Sequence, residues 1–201
     1  MKKNQFLQYL AISTALTLLL PTIANAHTGI GDTNGFIHGL EHPISGLDHI
    51  LAMVAVGLWA VQIGGKALWL VPGTFVLAMA AGSVVGHFQI PFPGIEQGIL
   101  ASDFLLGILI LMAARLPLAL STSIVGLLAI FHGYAHGAEI PETASGLTYG
   151  VGFIVSTALL HLTGLGIGLG FDRLPVLLRK RSFRAGGAAI VIGAVYVFVN
   201  H

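Results

Sequence analysis

The run ALWLVPGTFVLAMAAGSVVGHF, residues 67–88, contains no Asp, Glu, Lys or Arg. A helix rises 1.5 Å per residue, so this run reaches about 33 Å, slightly more than the roughly 30 Å hydrocarbon core of a bilayer. The run predicts a transmembrane helix. Five further stretches read the same way, at 43–63, 95–114, 117–138, 146–170 and 183–200. The connections between them are short and rich in Gly, Pro and Ser, which leaves no room for a soluble domain. The composition agrees. Of 201 residues, 55% are hydrophobic and 8% charged, with a mean hydropathy of +0.89. A soluble domain usually carries about 25% charged residues. The expected fold is all-α: a polytopic integral membrane protein, a bundle of six transmembrane helices.

The first residues read differently. Met1, Lys2 and Lys3 are followed by an apolar stretch from Phe6 to Leu20, then Pro21 and Ala24-Asn25-Ala26. This is the layout of a secretory signal peptide with cleavage after Ala26. The expected organisation is therefore a signal peptide at 1–26 and one membrane domain at 27–201, with His27 at the mature N-terminus. The basic residues orient the bundle. Lys66 lies between spans one and two, Arg115 between three and four, and Arg173, Arg179, Lys180, Arg181 and Arg184 between five and six. The connections at 89–94 and 139–145 hold no Lys or Arg. The positive-inside rule then puts both termini of the mature chain outside, in the periplasm, for a protein of the bacterial inner membrane. The glycine pairs 82/86, 133/137, 146/150 and 166/170, each four residues apart, predict closely packed helices.

Two polar words interrupt the apolar spans. The first, His42-Pro43-Ile44-Ser45-Gly46-Leu47-Asp48-His49, opens span one. On one continuous helix, His42 and His49 fall on nearly the same face, with Asp48 beside them and the Met53 thioether one turn beyond. The second, Phe131 to Glu139 (FHGYAHGAE), closes span four. There His132 and His136 are one turn apart, and Glu139 returns to their stripe. Burying a carboxylate at the bilayer centre costs about 2.5–3.5 kcal/mol on insertion scales, so such residues mark function by default. By the expected orientation both words lie at the outer end of their spans. His87, Glu96 and Asp103 enter from the same side, Asp103 about 12 Å along its helix. Asp32, Glu41 and Glu142 make the outer surface acidic. His161 alone marks an inner route, and a histidine satisfied by a neighbouring helix fits it equally well. Spans one and four carry their histidines at opposite ends of their own helices, which argues against an exact inverted repeat.

The candidate metal residues are His42, Asp48, His49, Asp103, His132, His136 and Glu139. Imidazole and carboxylate suit Ni2+, Co2+, Zn2+ and Cu2+ alike, and the chain has no cysteine, so thiolate sites and iron–sulfur clusters are excluded. No HExxH word or phosphate-binding loop is present. The residues fit a permease for a divalent transition metal. A membrane metalloenzyme, or a scaffold or sensor that binds metal without moving it, also fits them.

The runs HPISGLDHILAM (42–53) and FHGYAHGAE (131–139) resemble the signature segments of the HupE/UreJ family. Those are small integral membrane proteins associated with hydrogenase and urease systems and regarded as nickel permeases or nickel-uptake accessories. The resemblance covers the whole chain. It implies that Ni2+ is the transported substrate and that the protein is not an enzyme. It implies that His42, Asp48 and His49 are first-helix transport residues, with His132, His136 and Glu139 as their fourth-helix counterparts. The expected partners are membrane lipid, the metal ion and cytoplasmic nickel chaperones of hydrogenase or urease maturation, without nucleic acid. The oligomeric state is open.

Overall fold

The structure is a computed structural model and describes residues 35–140 and 146–200. The expected signal segment, His27, Asp32 and Glu142 lie outside the described residues. Among the described residues seven helices follow one another: α1 Gly35–Ser45, α2 Leu47–Ile63, α3 Ala67–His87, α4 Ile95–Leu111, α5 Leu118–Ala138, α6 Gly146–Asp172 and α7 Val176–Asn200. Among the described residues there is no strand.

Four of these helices, α3, α5, α6 and α7, are long and apolar enough to cross a membrane. The pair α1 and α2 passes the same test together, although the chain bends by 82° between them. α4, with 17 residues, is shorter. Large apolar side chains stand exposed on the outer faces, among them Trp69 on α3, Leu127 on α5, Leu147 on α6 and Ile192 on α7. A soluble monomer rarely exposes apolar surface on this scale, whereas lipid solvates it. The chain is a multi-pass membrane protein.

The first expected span, 43–63, is not one helix. Gly46 adopts an extended backbone, φ −100° and ψ 126°, and breaks it. Pro43 has no amide to donate inside α1, and the Ser45 hydroxyl donates to the His42 carbonyl at 2.7 Å. The last span also starts earlier than expected, at Val176, because a helix can begin directly after Pro175 and Arg and Lys are good helix formers. Arg179, Lys180, Arg181 and Arg184 therefore sit on α7 itself, with Arg179 paired to Asp172 at 3.2 Å. The turn from α2 to α3 uses Gly64 and Gly65, whose φ values of 85° and 59° suit residues without a Cβ.

Packing is by interlocked glycines. α3 lies along α5, α1 and α2 lie along α6, and α4 lies along α7. A Cβ at Gly133 or Gly137 on α5 would strike the Met79 or Ser83 carbonyl of α3. Gly82 and Gly86 on α3 meet the Ile130 and Tyr134 carbonyls of α5 in return. Gly57 of α2 and Gly164 of α6 face the His161 and Val54 carbonyls in the same reciprocal way. The pairs 82/86 and 133/137 thus pack as expected. Gly150, Gly166 and Gly170 do not, since a Cβ on any of them meets nothing within 4 Å. Their spacing matched the pattern, but they sit on the wrong face of α6. At the other end of the bundle, α2 closes the short α4: Trp59 Nε1 and Gln62 Nε2 donate to the Ala114 and Ile110 carbonyls, each at 3.0 Å. Carbonyls at a helix end inside an apolar bundle need such donors.

Gly137→Leu should lower the thermal midpoint of the purified protein by roughly 5–10 °C, since overpacking costs about 1–3 kcal/mol. Gly166→Leu, on the open face of α6, should leave it unchanged. Equal midpoints for the two variants would refute the interlock.

Candidate metal centre

The bend at Gly46 brings the two histidines of the first word together, not the periodicity of one helix. His42 sits in the last turns of α1 and His49 in the first turn of α2, with ring centroids 6.2 Å apart. α5 supplies His132 and His136, both fully buried. The His49 ring lies 5.1 Å from that of His132 and 4.5 Å from that of His136. The His42 ring lies 4.6 Å from that of His136. Four imidazoles from three helices therefore meet in one place.

Two donor sets result. In one, a nitrogen from each of His49, His132 and His136 lies within 4.8 Å of the others. In the second, His42, His136 and Glu139 satisfy the same limit. A first-row ion bound at about 2.0–2.1 Å spans donors up to about 4.2 Å apart, so small ring rotations would close either set on one ion. The first set is deep. The second is open to the surface: the side chains of His42 and Glu139 are 32% and 59% exposed. Glu139 Oε2 is 3.1 Å from His42 Nε2, and this hydrogen bond holds the Glu139 carboxyl below the usual carboxylate range. His136 belongs to both sets.

The hydrogen bonds explain which atoms are available. Asp48 Oδ1 accepts from His49 Nδ1 at 2.7 Å and from the His49 backbone amide at 2.8 Å. That occupies Nδ1 and leaves His49 Nε2 buried without a partner. Asp48 thus stands behind His49 and belongs to neither donor set, the arrangement in which a carboxylate orients a ligating histidine. His132 Nε2 is 2.8 Å from the Ser102 hydroxyl of α4, and its Nδ1 has no partner. Neither nitrogen of His136 has one. An unsatisfied buried polar group costs about 1–3 kcal/mol. Several at one point describe a pocket suited to a cation.

Asp103 is also completely buried, and neither carboxylate oxygen has a hydrogen-bond partner. It follows Ser102 on α4 and lies outside both donor sets. His161 is buried with both nitrogens unpartnered, so no neighbouring helix satisfies it, contrary to one of the two readings of the sequence. Its ring packs 5.0 Å from Phe75, whose other neighbour is His132 at 5.6 Å. Met53 lies in the hydrophobic core, and His87 and Glu96 are exposed and outside both sets. Sequence reasoning missed Ser102, Tyr149 and Phe153. The Tyr149 ring is 6.2 Å from His42, and the Phe153 ring is 4.0 Å from His136. Only the Ser102-Asp103 pair, two polar residues in an apolar run, could have drawn attention.

Comparison with known proteins agrees with the two words. The family model described as HupE / UreJ protein matches residues 15–196. Protein HupE of Rhizobium leguminosarum bv. viciae is 42% identical over 190 residues, covering 94% of this chain and 97% of that protein. No solved structure matches the chain. With the family model spanning nearly the whole sequence and a relative this similar over its full length, the chain belongs to the HupE / UreJ family.

Proposed function

We propose that this protein is a permease that carries a divalent transition-metal ion, Ni2+ in the first place, across the inner membrane into the cytoplasm. The observation that carries the reading is the pairing of an exposed donor set with a buried one through a shared residue, His136. A site that only held a metal would need one set. Two sets at different depths suit an ion in transit.

In this reading the bundle has six spans, with α1 and α2 forming the first and α4 a short third. The orientation follows from the positive charges. Lys66, Arg115 and the Arg173–Arg184 cluster lie at the ends of the helices opposite the histidines. The positive-inside rule turns that end to the cytoplasm and the histidines to the periplasm. A hydrated ion meets His42 and Glu139 first, where the carboxylate and the partial exposure ease the loss of water. It then passes to His49 and His132 as His136 changes the nitrogen it offers. A divalent ion surrounded by neutral imidazoles in a poor dielectric needs nearby negative charge. Asp48, hydrogen-bonded behind His49, supplies it. Inward passage toward His161 follows, with release to cytoplasmic nickel chaperones. Nitrogen and oxygen donors also accept Co2+, Zn2+ and Cu2+, and copper would bind them most tightly. Nickel rests on the family.

Purified protein in liposomes should accumulate radioactive nickel over time, and His49→Ala should abolish this at least about tenfold while inserting normally. Nickel bound without accumulation would instead identify a scaffold or sensor and end the permease reading. A competition series with the other three ions in the same assay ranks the substrate.

The exposed set predicts a different defect. Glu139→Gln keeps the size of the side chain but removes its charge. The lost interaction is worth at least that of a charged hydrogen bond, about 1.5–3 kcal/mol. The half-saturating nickel concentration should therefore rise about tenfold or more, with a smaller change in maximal rate. Uptake kinetics that match the wild type would remove Glu139 from capture.

A further inference from the structure

We infer that Ser102 is a positioning residue that decides which nitrogen of His132 faces the ion. The inference deepens the permease reading, but its first readout needs no metal.

Ser102 is fully buried on α4. Its Oγ lies 2.5 Å from the Ile99 carbonyl oxygen and 2.8 Å from His132 Nε2. Two oxygens this close must share a hydrogen, and a serine hydroxyl has only one to give. That hydrogen goes to Ile99. Toward His132 the hydroxyl can then only accept, so Nε2 carries the N–H. A neutral imidazole has one N–H, which leaves Nδ1 as the lone-pair nitrogen. Nδ1 is buried and has no other partner. It is the atom left to join His49 and His136.

A serine that bonds back to its own helix, three residues earlier, is common and by itself structural. The difference lies in what the second lone pair does. Were Ser102 only closing its own turn, His132 could take either tautomer, and a fraction of the molecules would point an N–H at the ion. Asp48 does the same work on His49 from the other ring position, holding Nδ1–H and freeing Nε2. Two of the three deep imidazoles are therefore locked, through opposite nitrogens. His136 alone has neither nitrogen engaged, and it is the one residue common to both donor sets. Fixed rings flank a free one, which is the division a hand-over between two positions needs.

The test uses full-length protein in lipid, labelled with 15N-histidine and free of metal, with His132 assigned by its loss in a His132→Gln variant. Wild-type His132 should be the Nε2–H tautomer. Ser102→Ala should shift it toward a mixture, and Ser102→Thr, which keeps the hydroxyl, should restore it. Nickel affinity should fall about tenfold to a hundredfold in Ser102→Ala and return in Ser102→Thr. An unchanged tautomer in Ser102→Ala, or equal loss of affinity in both variants, overturns the inference. If the tautomer shifts as stated but the wild type binds no nickel, Ser102 positions His132 and the permease reading is what fails.

Discussion

An imidazole buried in a membrane protein without a hydrogen-bond partner is a standing cost, and here the bend at Gly46 assembles that cost in one place. The 82° turn sets His42 on one helix and His49 on the next, so that both face His136. Gly46 needs no unusual backbone angle; what it needs is space. A Cβ there would lie 2.6 Å from Asp48 Oδ1 and 3.0 Å from His49 Nδ1, the two atoms whose hydrogen bond orients His49. The residue that breaks the helix is thus also the one that lets the Asp48–His49 pair fold back over the break.

The glycine interlock supplies the other half of the geometry. His132 and His136 reach the site only because α5 is held against α3, and Gly133 and Gly137, the residues directly after them, make that contact with the Met79 and Ser83 carbonyls. One face of a single helical turn packs, and the adjoining face carries the donors. In lipid there is little hydrophobic gain from pressing helices together, so close backbone approach through small residues has to hold them. The second word of the sequence is therefore a packing signal and a chemical one at once, with histidine and glycine alternating between the two tasks.

Much of this was legible in the residues. The stretches 67–88 and 117–138 match α3 and α5 within a residue at each end, because long uncharged runs in a bilayer admit almost no other structure. The histidines, Asp48 and Glu139 stood out because polar groups in such runs are rare. The break at Gly46 did not stand out. Both arms around it are largely apolar, so hydropathy reads straight through, and a span beginning at Pro43 is expected where Pro43 in fact lies near the end of α1. The basic start of α7 was read as a connection for the opposite reason: charge suggested a loop, whereas Arg and Lys near a helix end extend their heads toward water and leave the helix intact. The Ser102-Asp103 pair marks a polar step in an apolar run, but the role of Ser102 is not legible there. A single serine in an apolar helix is ordinary, and its meaning depends wholly on which residue of another helix sits against it.

Depth then orders the chemistry. Under the proposed transport, the half-exposed pair His42 and Glu139 draws a hydrated ion, and water leaves from there at little cost. In the deep set His49 and His132 are held by Asp48 and Ser102 behind them, which under the proposed transport suits an ion already partly stripped. A deep carboxylate ligand would bind more tightly and release more slowly. Under the proposed transport, imidazoles backed by carboxylates, as His49 is by Asp48 and His42 by Glu139, give an ion company without trapping it. Under the proposed transport, His161 continues that logic inward. It is again an imidazole with both nitrogens unpartnered, but it stands beyond Phe75 and joins neither donor set among the described residues. A single ligand of that kind can receive an ion from the deep set and cannot keep it.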